Sequence, residues 1–222
     1  MLLILRRKRL LGFIFVPLFF LGGAAGSSIR QRPPVAACVL IDPGHGGIDG
    51  GCQDSLGYME KDINLGIAGK IAVRLRQKGV KVHLTREDDR ALGKTYGEDL
   101  LNRLQQARRL KPQVMLSIHA NWHTDPSGEG AVTVIPANSK ASAALAKIIL
   151  AELGELCYVN PNPIVMPEHQ LLATEAFPIV LIEVGFLSNP EEASRLHTAP
   201  YQEQLGRAIS EAVLRYLHLN GS

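Results

Sequence analysis

Apolar residues fall in two rhythms along this chain, and their alternation predicts the fold. Short apolar runs at 35–41, 80–84, 113–119, 131–135 and 178–184 have the length of buried strands. Between them apolar positions recur at helical spacing. The stretch 60–78 carries Ile63, Ile67, Ile71 and Leu75 four residues apart, and Gly79 closes it as a helix-ending glycine should. Further helices are expected at 98–110, at 139–154, which opens on Ser139 as a cap, and at 201–217. A glycine-rich loop follows the first strand to Tyr58, a polar loop covers 85–97, and the proline-studded stretch 160–167 reads as a loop. Strands separated by helices pair in parallel and need cover on both faces. The expected fold is therefore α/β: a single domain with a central, mostly parallel twisted sheet of about six strands flanked by helices on both faces.

The N-terminal residues break this pattern. A basic cluster, Arg6-Arg7-Lys8-Arg9, precedes an apolar run at 10–21 and the small residues of 22–27, the order of an export signal. A spanning anchor is the alternative, but 10–25 contains Pro17 and falls short of the roughly 20 residues that cross a bilayer. The expected division is 1–28 as signal peptide or membrane anchor, 29–34 as a linker with Pro33-Pro34, and 35–219 as the folded domain. At 222 residues and 46% hydrophobic, the chain has material for one core. Its formal charge of +3 comes from the leader: six bases and no acids lie in 1–34, leaving 18 bases against 21 acids. A mildly acidic domain argues against nucleic acid as a partner. Arg103, Arg108, Arg109 and Lys111 group on one predicted helix, where the expectation is a solvated face. Cys38, Cys52 and Cys157 have no zinc-ribbon or disulfide-framework spacing and read mostly as free thiols, with a Cys38–Cys52 bridge left open.

Candidate chemistry collects at the strand ends. His45 sits in Asp42-Pro43-Gly44-His45-Gly46-Gly47, directly after the first strand, in a turn too rich in glycine to pack. His119 ends the third strand, Glu183 lies at the end of the last, and Glu60 opens the first long helix. In open α/β sheets ligands bind beyond the carboxyl ends of the strands, so these four can converge. Two imidazoles and a carboxylate suit several divalent metals, and the spare carboxylate could move a proton. Each has a plainer reading. Glu60 could complement the helix dipole, with Asp49 or Asp54 as rival ligands, and Glu183 could be a buried ion-pair member with Arg86 as partner. Asp42 and Pro43 read as turn residues. Asn121, His123 and Arg86 are candidate substrate contacts, with Asn121 alternatively capping the turn after its strand. His169 is open between site and loop, while His83, His197 and His218 read as structural or solvated.

The segments Asp42-Pro43-Gly44-His45-Gly46-Gly47, Glu60-Lys61-Asp62, Leu84-Thr85-Arg86, Ser117-Ile118-His119-Ala120-Asn121 and Ile182-Glu183-Val184-Gly185-Phe186-Leu187-Ser188-Asn189 stand in an order that resembles the zinc-dependent N-acetylmuramoyl-L-alanine amidases of the Amidase_3 family. The resemblance implies Zn2+ held by His45, Glu60 and His119, Glu183 as the catalytic carboxylate, and peptidoglycan as substrate, cut between N-acetylmuramic acid and L-alanine. The compact form, with Tyr96-Gly97-Glu98-Asp99-Leu100 and Asn189-Pro190-Glu191-Glu192-Ala193, resembles the germination-specific amidases of spore formers, which work in the cortex with a deacetylase and in some lineages a lipoprotein. Those enzymes act outside the cytoplasmic membrane, in cell wall or cortex, and the forespore intermembrane space is the implied compartment. The stretch 163–172 departs from the basic, glycine-containing segment of many relatives. Two alternatives stay open: a catalytically silent peptidoglycan-binding module, and a zinc peptidase acting within the stem peptide.

Overall fold

The computed structural model describes residues 37–172 and 176–220, the side chains of 219 and 220 excepted. The expected leader, linker and first two residues of the domain lie outside that range. A six-stranded sheet organises the rest. Strand β1 (Cys38–Pro43) is followed by α1 (Glu60–Gln77), β2 (Lys81–Leu84), α2 (Tyr96–Leu110), β3 (Val114–Asn121), β4 (Val132–Ile135), α3 (Lys140–Leu153), β5 (Ile164–Val165), β6 (Ile179–Phe186), α4 (Pro190–Leu196) and α5 (Ala199–Asn220). Strand order is β2-β1-β3-β6-β4-β5. Every pairing is parallel except β4 with β6.

Period-two alternation decides which helices cover which face. Val39 and Ile41, Leu116 and Ile118, and Val180, Ile182 and Val184 point into one buried cluster with α1, α3 and α5. Leu40, Met115, Ile179 and Leu181 point the other way, onto Ala107 of α2 and onto Leu171 and Leu172 of a 3-10 turn. Strands buried on both faces read as unbroken apolar runs, which is why the sequence places them well. By the same alternation Asp42 and Ser117 fall on the α2 side, and there they meet a buried cation described below.

The differences have local causes. Strand β1 runs on through Asp42 and Pro43 because Thr85, Ser117 and Arg103 satisfy the Asp42 carboxylate. Helix α2 begins two residues early because the Thr95 hydroxyl accepts from the Glu98 amide as N-cap. The loop expected at 160–167 contains β5, two residues added in parallel to the edge strand β4. The unanticipated α4 is seven residues long, capped by Asn189 with Pro190 in its first turn. All three cysteines are free, so no Cys38–Cys52 bridge forms. Among the described residues no helix is long and apolar enough to cross a membrane.

Candidate metal centre and active site

Parallel pairing brings the carboxyl ends of β1, β3 and β6 to one edge, with His119 and Glu183 opposite each other in register. Glu60, the first residue of α1, is 2% exposed and stands between two imidazoles. One Glu60 oxygen lies 3.1 Å from His45 Nε2, the other 2.9 Å from His119 Nδ1. The amides of Cys52 and Ala120 and the Asn64 side chain also donate to this carboxylate, fixing its orientation. The two rings meet edge to face, 5.0 Å between centroids. His45, Glu60 and His119 each offer one donor atom within 4.8 Å of the others, a group that could hold a metal ion.

Three features test the fit of a metal to this group. Asp49 accepts from His45 Nδ1 at 2.8 Å, which turns Nε2 inward, where it could ligate a metal once it gives up its proton. A Cβ on Gly44 would stand 2.2 Å from the His119 ring, and one on Gly51 would stand 2.5 Å from a Glu60 oxygen and 2.7 Å from His45. The two glycines are thus the walls against which the donors are set. Two imidazoles and one carboxylate also make the three-protein-ligand set of catalytic divalent sites with an open position. The residues fit.

His45 holds a left-handed backbone, φ 62°, which non-glycine residues adopt rarely and at a cost of about 1–3 kcal/mol. Arg103 holds it there. Its guanidinium is 2% exposed and donates to the His45 carbonyl (2.7 Å), the Pro43 carbonyl (2.8 Å) and the Asp42 carboxylate (2.7 Å), and it also pairs with Asp99. The expected solvated face on α2 is therefore wrong at this position. Arg86 needs a similar correction. It is 1% exposed and donates to the carbonyls of Pro43, Gly44, Lys61 and Asp88, so it braces the loop and does not pair with Glu183.

The charges on the centre follow from burial and pairing. Burial opposes a charge on His45, but Glu60 and Asp49 outweigh it and push its pKa up to about 9. Burial likewise opposes ionisation of Glu60, yet the His119 and His45 hydrogen bonds hold it far below the usual carboxylate range. Glu183 differs. Among the described residues its carboxylate has no hydrogen bond or ion pair, and burial together with the Glu60 charge pushes its pKa up against the two imidazoles. A carboxyl of that kind holds and releases a proton closer to neutrality.

Of the remaining candidates, Asn121 caps the turn by accepting from the Trp122 amide, and Asp54 caps its own loop through the amides of Leu56 and Tyr58. His169 lines a small cavity with His45 and His119, its Nδ1 buried without a partner among the described residues. His123 lines an open cleft beside Trp122, an exposed aromatic the apolar patterning passes over because it belongs to no strand or helix.

An α/β sheet whose carboxyl edge gathers two imidazoles and a carboxylate that could hold a metal ion, with a second carboxylate on the adjacent strand, has the parts of a hydrolase site. Residues 39–215 match the Amidase_3 family, described as N-acetylmuramoyl-L-alanine amidase. The germination-specific N-acetylmuramoyl-L-alanine amidase of Bacillus subtilis is 32% identical over 226 residues, covering 96% of this chain and 94% of its own length. N-acetylmuramoyl-L-alanine amidase AmiA of Escherichia coli is 28% identical, covering 81% and 76%. Among solved structures, the CwlD amidase of Clostridioides difficile in complex with the GerS lipoprotein superposes with a TM-score of 0.77 at 33% identity, over 82% of this chain and 99% of that one. The chain belongs to the Amidase_3 family and is an N-acetylmuramoyl-L-alanine amidase.

Proposed function

We propose that the protein is a zinc amidase that frees whole stem peptides from muramic acid, with His45, Glu60 and His119 as ligands and Glu183 as the catalytic carboxylate. A zinc ion held by that set would supply Lewis acidity at the scissile carbonyl and lower the pKa of water there towards about 7. Glu60 stays ionised for its task because both imidazoles hydrogen-bond it. Glu183 does the opposite work. Half-buried and, among the described residues, unpaired, it takes the proton from the attacking water and returns it to the departing L-alanine nitrogen, which leaves badly as an anion. The carrying observation is this contrast between two carboxylates, one locked between imidazoles and one, on β6, with no partner among the described residues.

The cellular setting proposed is the spore cortex, where stem removal precedes muramic lactam formation. Support comes from the germination-specific relative and from the CwlD neighbour. The basic, apolar and small order of residues 6–27 supports export across the cytoplasmic membrane, into the forespore intermembrane space. A lipoprotein partner is suggested by the complex in which that neighbour was solved, and a cortex deacetylase would act on the stripped glycan. Digestion of intact peptidoglycan by the zinc-loaded chain, followed by mass spectrometry, tests the reaction. Whole stems with a free L-alanine amine are expected, and Glu183→Gln should keep its zinc while losing turnover. Shorter peptides would identify a stem peptidase, wall binding without release a silent module, and equal zinc loss in both Glu183→Gln and His119→Ala would refute the division of roles.

A further inference from the structure

The three segments that carry the site residues all continue into a second, larger concavity. Trp122 stands three residues beyond His119, Ser188 five beyond Glu183, and Asp54 and Ser55 lie on the loop between His45 and Glu60. Together with His123 and Thr124 they line an open cleft of about 330 Å3, at the lower end of the range for small-ligand sites. The Trp122 side chain is an exposed aromatic surface on this cleft, 48% accessible.

The polar groups around it are set in place. Ser188 Oγ accepts from the His123 amide at 3.0 Å, and His123 Nδ1 accepts from the Asp125 amide at 3.0 Å. A neutral His123 ring therefore carries its proton on Nε2 and presents a donor. Among the described residues no lysine or arginine lines the cleft, and the one lining carboxylate, Asp54, is turned to the amides of Leu56 and Tyr58. Stem peptides carry free carboxylates and would meet no lysine or arginine among these residues. A neutral sugar suits the cleft better: its axial C–H face packs on an indole, while its hydroxyl and acetamido groups use donors and acceptors at the rim.

We propose that this cleft is a glycan subsite, seating one N-acetylhexosamine ring of the strand on the Trp122 indole. The inference rests on the peptidoglycan-amidase reading. Because the scissile amide hangs from a muramic acid, a neighbouring ring held here fixes where that amide lies at the metal centre. The subsite thus selects polymeric strand over loose muramyl peptide.

Trp122 is the sole tryptophan of the chain, so its emission reports on the cleft directly. The full chain is titrated with the N-acetylglucosamine tetramer, which has no peptide, and separately with free stem tripeptide. The tetramer should shift the emission to shorter wavelength and saturate, and the tripeptide should leave it unchanged. By calorimetry, Trp122→Ala should bind the tetramer about tenfold more weakly, equivalent to about 1.4 kcal/mol, with Trp122→Phe in between. No response to the tetramer, a response to the tripeptide alone, or unchanged affinity in Trp122→Ala overturns the proposal. Failure of stem release by a chain that still binds the tetramer through Trp122 would instead count against the amidase reading.

Discussion

Beneath His45 the chain buries a network of charged groups, whereas beyond His119 it opens a cleft lined by side chains that solvent reaches. Asp42 and Arg103 are 1% and 2% exposed and joined at 2.7 Å, with Thr85 and Ser117 completing the carboxylate shell. Burial would raise the Asp42 pKa, yet Arg103 and the two hydroxyls lower it, so the pair stays charged. Burying two charges has no net gain assured, since desolvation offsets their attraction. What the network supplies is position: the same guanidinium that neutralises Asp42 holds the His45 carbonyl and its left-handed backbone. On the cleft side the fixed groups are loop contacts such as Asp54 with its two amides and His197, and the Trp122 face stays exposed: a long, repetitive substrate needs contact area there, while a metal ligand needs its place fixed within a fraction of an ångström.

That contrast can be broken by substitution. Arg103→Ala strips the cation from a buried carboxylate, and denaturant unfolding should lose about 3–5 kcal/mol. Trp122→Ala removes a half-exposed side chain and strands no buried charge, so the same measurement should move less, by about 1 kcal/mol. Comparable losses in the two variants would show that the braced side and the open side do not differ in the way described.

Gly44→Ala probes the braced side next to the candidate metal ligands. Its methyl would overlap the His119 ring on a backbone held by Ile118 through the Gly44 amide at 2.9 Å, so the ring has to move. Metal analysis after dialysis should find the wild type loaded and Gly44→Ala depleted, with circular dichroism unchanged. A loaded Gly44→Ala would mean that His119 is free to adjust. Asp49→Asn should act more gently. It weakens the acceptor that orients His45, and metal affinity by competition with a chelator should fall about 10–100-fold.

Much of this arrangement can be read from sequence, and the reasons differ by residue. The strands are legible because burial on both faces makes them continuous apolar runs, and His45 because glycines on both sides leave its side chain nothing to pack into. Glu60 is legible only in part: a helix-start acid looks the same whether it faces solvent or an imidazole. Arg103 is misread because its partner Asp42 is 61 residues away and its helical neighbours Arg108 and Arg109 are exposed, so the local pattern describes a solvated face. Arg86 is misread for a related reason, since its acceptors are backbone carbonyls and carry no side-chain signature. Strand β5 and helix α4 are too short for periodicity, although Asn189-Pro190-Glu191 is a cap signal.

The smallest expected effect is a proton. In the metal-free protein His45 has its pKa pushed up to about 9 from the ordinary 6.5. A raised folded-state value contributes stability that is full below pH 6.5 and is lost as pH rises through about 9. Glu60 has the opposite sign: its stabilisation is present above its ordinary 4.5 and lost as pH falls towards its depressed folded value. The metal-free chain should therefore be most stable on the mildly acidic side of neutrality and soften from pH 6.5 to 9. An imidazole must be neutral to ligate, so metal binding at pH 7 has to expel the His45 proton. Calorimetry in two buffers of different ionisation enthalpy should count about one His45 proton per metal at pH 7, on top of what the metal-acidified water gives up, and that His45 share should fall towards zero above pH 9. Asp49→Asn removes one of the two acceptors that hold the charge on His45, so its proton release should fade at a lower pH than in the wild type. A wild type that releases no proton at pH 7 would show that Glu60 and Asp49 orient His45 without charging it, and that the braced side of the site works through geometry alone.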